Sequence, residues 1–267
     1  MELYIKNEVM DGWNGILYLS RKAAKKTTGG DWDGSELEVG LIISSIDGNM
    51  GAKMIEKRYV PFLKTVLTPK RLEHSLGVMQ VMGELADVYG LDREKAQTIG
   101  VLHDAGKDLP SDVQGELIAE GNIQIHHESD RNYFLYLHGP VGAYLVKREL
   151  GISDELILGA ITTHTYYGNT LNFNHPLSWC MRFSDFLEPN RDWRDINLVF
   201  KCVKRLRKLV YAGSMEEGAF LHASMLVQWF EDTNTPVHPN MRQVKAELGK
   251  KLGLDDSYLG MEKQKIL

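Results

Sequence analysis

Cysteine is scarce: Cys180 and Cys202 are the only two in 267 residues, too few for a disulfide framework and suited to a reducing compartment. The first residues lack the basic-then-apolar pattern of a signal peptide, so secretion is not expected. No apolar run approaches the ~18 residues that a membrane span needs, so no membrane partner is expected either. A basic surplus is also missing. Thirty-one Lys and Arg against 36 Asp and Glu leave a net charge of −5, without the excess that displaces counterions from nucleic acid. There is no internal repeat and no low-complexity segment. What remains is a cytoplasmic chain with 43% hydrophobic residues, enough to bury a substantial core.

Three regions are expected: an N-terminal extension of undecided fold over 1–51, a helical domain over 52–253 and a tail over 254–267. The extension mixes Trp13, Ile16, Leu17 and Leu19 with a polar Thr/Gly/Asp-rich run over 25–34 that reads as a loop. The apolar piece Leu37 to Ile46 is compatible with a short strand or a buried helical turn, which periodicity alone does not separate. From about Ala52 the spacing is helical throughout, which predicts an all-α fold.

The polar residues on those apolar stripes carry the chemistry. His74 shares a stripe with Val78, Val81, Met82, Leu85 and Val88, and His103 follows Ala96, Ile99 and Leu102 at helical spacing. His138 opens a helix through His138-Gly139-Pro140. His164 continues the stripe Ile157, Ala160, Ile161 behind an Asp154 cap, and Asp185 shares a face with Leu177, Met181 and Ser184. One inward histidine is ordinarily a hydrogen-bonded core residue. Several together, with the carboxylates Asp104 and Asp185, are better explained by a shared cation that offsets their desolvation. Nitrogen and oxygen donors without cysteine suit two octahedral ions such as Fe, Mn, Co or Mg rather than structural zinc. Two ions about 3.5–4 Å apart need a bridging carboxylate, for which Asp104 is the natural choice, and they acidify a bridging water that attacks a phosphate. Lys107, a turn away, is placed to neutralise phosphate oxygens.

The order His74, His103-Asp104, His138, His164, Asp185 resembles the HD-domain phosphohydrolases with six metal ligands. Four segments are similar to the subfamily of symmetrical diadenosine-tetraphosphate (Ap4A) hydrolases: Arg71-Leu72-Glu73-His74-Ser75, Leu102 to Pro110, Leu137 to Val146, and Asp185 to Arg191. Pro236-Val237-His238-Pro239 resembles its C-terminal helix boundary, and the likeness covers roughly residues 55 to 250. The resemblance implies an HD-domain helical bundle that binds two divalent metals, iron foremost, and cleaves Ap4A symmetrically to two ADP. It implies His74, His103, Asp104 and Asp185 on one metal and Asp104, His138 and His164 on the other. Asp104 and Lys107 would then be catalytic, with Arg71, Lys107, Thr165 and Arg191 contacting substrate.

The sequence departs from that subfamily in two places. The interval from His164 to Asp185 is longer, with Tyr166, Tyr167, Asn169 and His175 in a loop expected to border the substrate pocket, and Trp179 to Ser184 is less aliphatic. His126-His127-Glu128 resembles the signature of HD-GYP cyclic-dinucleotide phosphodiesterases, but it precedes His138 and no Gly-Tyr-Pro follows, so it reads as a solvated loop. A nucleotidase or phosphomonoesterase acting on another nucleotide, or a nucleotide-sensing module without turnover, is the alternative reading. A homodimer is compatible with either.

Overall fold

Strong caps and periodic apolar positions account for most of the helices that carry the site. The computed structural model describes residues 35–168 and 172–259, with side chains from Met50 onward. The chain divides into two units, Met1–Asp47 and Gly48–Leu267. The expectations made for residues 1–34, Asn169 and the tail beyond 259 lie outside the described residues.

Among the described residues there are ten α-helices and no strand: α1 (Ser35–Val66), α2 (Pro69–Tyr89), α3 (Arg93–Leu102), α4 (Ser111–Glu120), α5 (His138–Leu150), α6 (Glu155–Thr163), α7 (Pro176–Leu187), α8 (Asn197–Tyr211), α9 (Met215–Asp232) and α10 (Pro239–Leu252). The fold is therefore all-α, as the periodicity predicts. Leu37 to Ile46 lies within α1, which settles the choice between strand and helix.

Thr68 caps α2, with Pro69 at the first turn and Gly90 in the left-handed conformation that terminates it. Asp92 then caps α3 through Lys95 N at 2.9 Å, so α2 and α3 are joined by two residues, Leu91 and Asp92, after the Gly90 stop. Leu85, Met82, Ile99 and Leu102, all without exposed surface, fill the space around this pair, each contributing about 1.5–3 kcal/mol by its burial. Val88, expected on the same stripe, is 38% exposed, because the last turn of α2 overhangs the core.

Asp108 fastens the start of α2 to the turn after α3, accepting hydrogen bonds from Thr68 N at 3.0 Å and Thr68 Oγ1 at 2.7 Å. Gly106 does the same work toward α5. A Cβ on Gly106 would lie 2.5 Å from His138 O and 2.7 Å from Gly142 N, so only glycine lets the two backbones meet there. That contact brings the His103-Asp104 turn onto the first turn of α5.

Between α4 and α5 the chain runs through a 3-10 turn, Glu128–Arg131, and a π-helical turn, Tyr133–Leu137. The fully buried Asp130 accepts from the His126 and His127 backbone N–H groups, both at 2.9 Å, and its other oxygen lies 3.0 Å from His238 Nε2. Asn240 N donates to His238 Nδ1, which leaves Nε2 facing the Asp130 carboxylate as a close polar contact. The buried pair thus ties this turn to the start of α10.

Candidate metal centre

Each imidazole of the predicted set is fixed by its Nδ1. His103, at the C-terminal end of α3, donates from Nδ1 to Gly100 O at 2.8 Å, and His164, just past α6, donates to Ile161 O at 2.6 Å. His138 Nδ1 faces Tyr133 O at 3.3 Å, and His74 Nδ1 donates to Glu188 Oε1 at 3.2 Å. With Nδ1 so engaged, each ring turns Nε2 inward, the arrangement in which second partners of a metal-bound histidine hold it.

The Nε2 atoms converge on two carboxylates. Asp104 directs Oδ1 to His138 Nε2 at 3.3 Å and His164 Nε2 at 3.7 Å, and Oδ2 to His103 Nε2 at 3.5 Å and His74 Nε2 at 3.8 Å. Asp185 Oδ1 lies 3.0 Å from His74 Nε2 and 3.8 Å from His103 Nε2. Donor atoms of His74, His103 and Asp185 lie within 4.8 Å of one another, and so do those of His103, Asp104 and His164. The two triads hold five of the six predicted residues, with His103 common to both, and His138 joins them through Asp104 Oδ1 at 3.3 Å.

The donor chemistry fits a cation. His103 Nε2 is a buried atom without a hydrogen-bond partner, and the Nε2 atoms of His138 and His164 stand 3.0 Å apart. The unpartnered His103 nitrogen is costly inside a protein unless a positive centre faces it.

The electrostatics separate the rings. Burial pulls His103 and His138 down to about 3, so both imidazoles are neutral at ordinary pH. Burial alone would also lower His74, but hydrogen bonds with Asp185 and Glu188 outweigh it and raise His74 to about 9. Burial would raise Asp104 and Asp185, yet the surrounding histidines with Lys107, and Arg191 with His74, hold both carboxyls well below their usual range. Burial lowers the Lys107 ammonium as well.

Cations line the less buried side of this cluster. Arg71 Nη1 reaches Asp104 Oδ2 at 3.0 Å, Arg191 Nη2 reaches Asp185 Oδ1 at 2.9 Å, and Lys107 Nζ lies 3.1 Å from His138 Nε2. Thr165, predicted among the substrate contacts, instead donates its hydroxyl to Tyr136 O at 3.3 Å. His126, His127 and Glu128 are exposed and outside both triads, as the loop reading expects.

Two residues were not singled out from the sequence. Glu188, 3% exposed, orients His74, and its signal was the Glu-Pro-x-Arg run that begins with it. Arg182, 1% exposed and three residues before Asp185, donates to Thr163 O at 2.9 Å and Phe173 O at 2.8 Å. Its guanidinium also lies 4.2 Å from the Phe173 ring centroid and 4.5 Å from that of Trp179. It therefore binds α7 to the backbone beside His164. In a single interval it explains the aromatic content of the loop, and no charge pattern announced it.

Comparisons with known proteins converge on the same region. The model of the HD domain family matches residues 71–205. A symmetrical bis(5'-nucleosyl)-tetraphosphatase of Bacillus subtilis is 39% identical over 141 residues, 52% of this chain and 72% of that protein. The protein of the same description from Halalkalibacterium halodurans is 33% identical over 141 residues, 51% of this chain and 71% of its own length. A crystal structure from Clostridium acetobutylicum, described as a predicted HD superfamily hydrolase involved in NAD metabolism, superposes with a TM-score of 0.61 at 29% identity, covering 72% of this chain and 95% of that one. Because the matched stretch begins at Arg71 and runs through the whole His74 to Asp185 constellation, the chain belongs to the HD domain family.

Proposed function

We propose that this protein is a metal-dependent phosphohydrolase that cleaves diadenosine tetraphosphate symmetrically into two ADP. The observation that carries the reading is the convergence of four inward Nε2 atoms on Asp104 and Asp185, with Arg71, Lys107 and Arg191 on the solvent side. The relatives described as symmetrical tetraphosphatases supply the substrate.

His74, His103, Asp104 and Asp185 would hold one divalent ion, and Asp104, His138 and His164 a second, with Asp104 giving one oxygen to each. Iron is our choice of native metal, with Mn, Co or Mg as substitutes, because the donor set is nitrogen and oxygen only. Bound divalent ions supply positive charge to the phosphate oxygens and acidify water.

The chain's own residues have distinct tasks. Glu188 and the Gly100, Tyr133 and Ile161 carbonyls hold the four rings in one tautomer, so no reorganisation is needed during turnover. The Lys107 ammonium donates hydrogen bonds to oxygens of the polyphosphate, and the guanidiniums of Arg71 and Arg191 offer paired N–H groups to the same chain. In the reaction the bond between the two central phosphoryl groups breaks, water giving its hydroxyl to one phosphorus and a proton to the departing ADP. Cys180 and Cys202, buried and unpaired, fit the cytoplasmic location that we assign. Residues 52–253 are proposed as the catalytic domain.

The test is product analysis under reducing conditions with Fe(II), Mn(II) or Co(II). ADP as sole nucleotide product from Ap4A supports the proposal, whereas ATP with AMP, or no turnover, contradicts it. Asp104→Ala should abolish the reaction.

A further inference from the structure

Phe134 is the only aromatic among the five large apolar side chains left exposed in the described residues, with 59% of its surface open. It lies in the π-helical turn Tyr133–Leu137 that leads directly into His138. Its neighbours in that turn are committed elsewhere. The Tyr133 hydroxyl donates to Gly106 O, and the fully buried Tyr136 donates to Pro236 O at 3.0 Å. One exposed apolar side chain is ordinary on a protein surface, so it is what lies beside this ring that gives it meaning. Single π turns inside helical segments recur at functional sites.

The ring is not isolated from the metal-type cluster. The Lys107 ammonium lies 4.3 Å from its centroid, and the same nitrogen lies 3.1 Å from His138 Nε2. Among the described residues that ammonium hydrogen-bonds only to His138, although it carries three donors. An open aromatic face, a cation with free donors and the ligand cluster therefore follow one another in space. A nucleotide carries a planar base and an anionic phosphate chain in the matching order.

We propose that Phe134 is a stacking platform for one nucleobase of the substrate, a nucleoside 5'-polyphosphate whose phosphates lie against Lys107. This rests on the phosphohydrolase reading above and adds the residue that selects a nucleotide over an inorganic polyphosphate. Every base has a π face, so the platform discriminates against ligands without a base rather than between adenine and guanine.

Calorimetric titration of the metal-loaded full chain with ADP and with pyrophosphate tests it, using wild type, Phe134→Ala and Phe134→Trp. Phe134→Ala is expected to weaken ADP about tenfold or more, while pyrophosphate changes by less than about twofold. Phe134→Trp should bind ADP at least as tightly as wild type, with ADP quenching the added indole. Because the ring is exposed, both variants should melt close to wild type. Equal loss on both ligands, or no loss of ADP affinity in a chain that still converts Ap4A to ADP, overturns the platform and leaves the hydrolase standing. Wild type that binds neither ligand and turns over no nucleotide overturns the hydrolase reading, and the platform falls with it.

Discussion

The Nε2 atoms of His138 and His164 stand 3.0 Å apart although both rings direct Nδ1 at a backbone carbonyl. With a hydrogen on each Nδ1, two lone pairs face each other, an arrangement that repels unless positive charge lies against it. Lys107 supplies part of that charge at 3.1 Å from His138 Nε2, and a divalent ion between the rings and Asp104 would supply the rest.

Glu188 is the simplest place to test whether ring orientation matters. It holds His74 Nδ1 at 3.2 Å and also accepts from Asn190 N at 2.7 Å. Glu188→Gln keeps the shape and removes the charge, so metal affinity is expected to fall about 10–100-fold. A competition titration against a chelator of known affinity measures this, with circular dichroism confirming an unchanged helix content.

Gly106 carries the approach of the His103-Asp104 turn to α5. Gly106→Ala puts a methyl group 2.5 Å from His138 O, a backbone atom that cannot rotate away. The expected cost is about 1–3 kcal/mol in urea unfolding, with metal affinity lost in parallel because His138 is displaced. Gly115→Ala, inside α4 where an added Cβ meets nothing within 4 Å, is the control: metal affinity should stay unchanged and stability should rise by about 0.5–1 kcal/mol.

The α6 cap gives a pH dependence of known sign. Asp154 accepts from Leu156 N at 2.9 Å and Ile157 N at 3.1 Å and pairs with Lys95 at 2.8 Å, and Lys95 is the main cause of its lowered pKa. A carboxyl with a folded pKa below its unfolded value of about 3.9 stabilises above that value and loses the contribution as pH falls through the folded one. Asp154→Ala should therefore cost about 1 kcal/mol at neutral pH and progressively less below pH ~4. Thermal unfolding of both proteins across that range checks it.

The sequence made the ligand helices legible because their stripes are long, their starts are marked by Asp92 and Asp154 and their stops by Gly90 and Pro189. α4 (Ser111–Glu120) carries little signal in the sequence, since Leu117 is its only fully buried residue and one buried position makes no period. Leu37 to Ile46 was ambiguous for the opposite reason, an unbroken apolar run that suits either structure. The π turn before His138 was invisible because an inserted residue shifts the helical phase without changing composition. Arg182 and Glu188 escaped notice because each acts through backbone carbonyls or through another ligand, contacts that spacing does not encode. The side chains of the six expected ligands lie together around Asp104 and Asp185, and the Thr165 hydroxyl bonds Tyr136 O.

In the proposed centre Asp104 serves two cation positions at once, one beside His74 and His103 and one beside His138 and His164. Metal stoichiometry of the reduced, metal-loaded chain, measured by mass spectrometry on the desalted protein, tests it most directly. Two ions per chain are predicted for wild type, with both lost in Asp104→Ala and only one lost in the double variant of His138→Ala and His164→Ala. A single ion per chain, or two ions that survive Asp104→Ala, would contradict it.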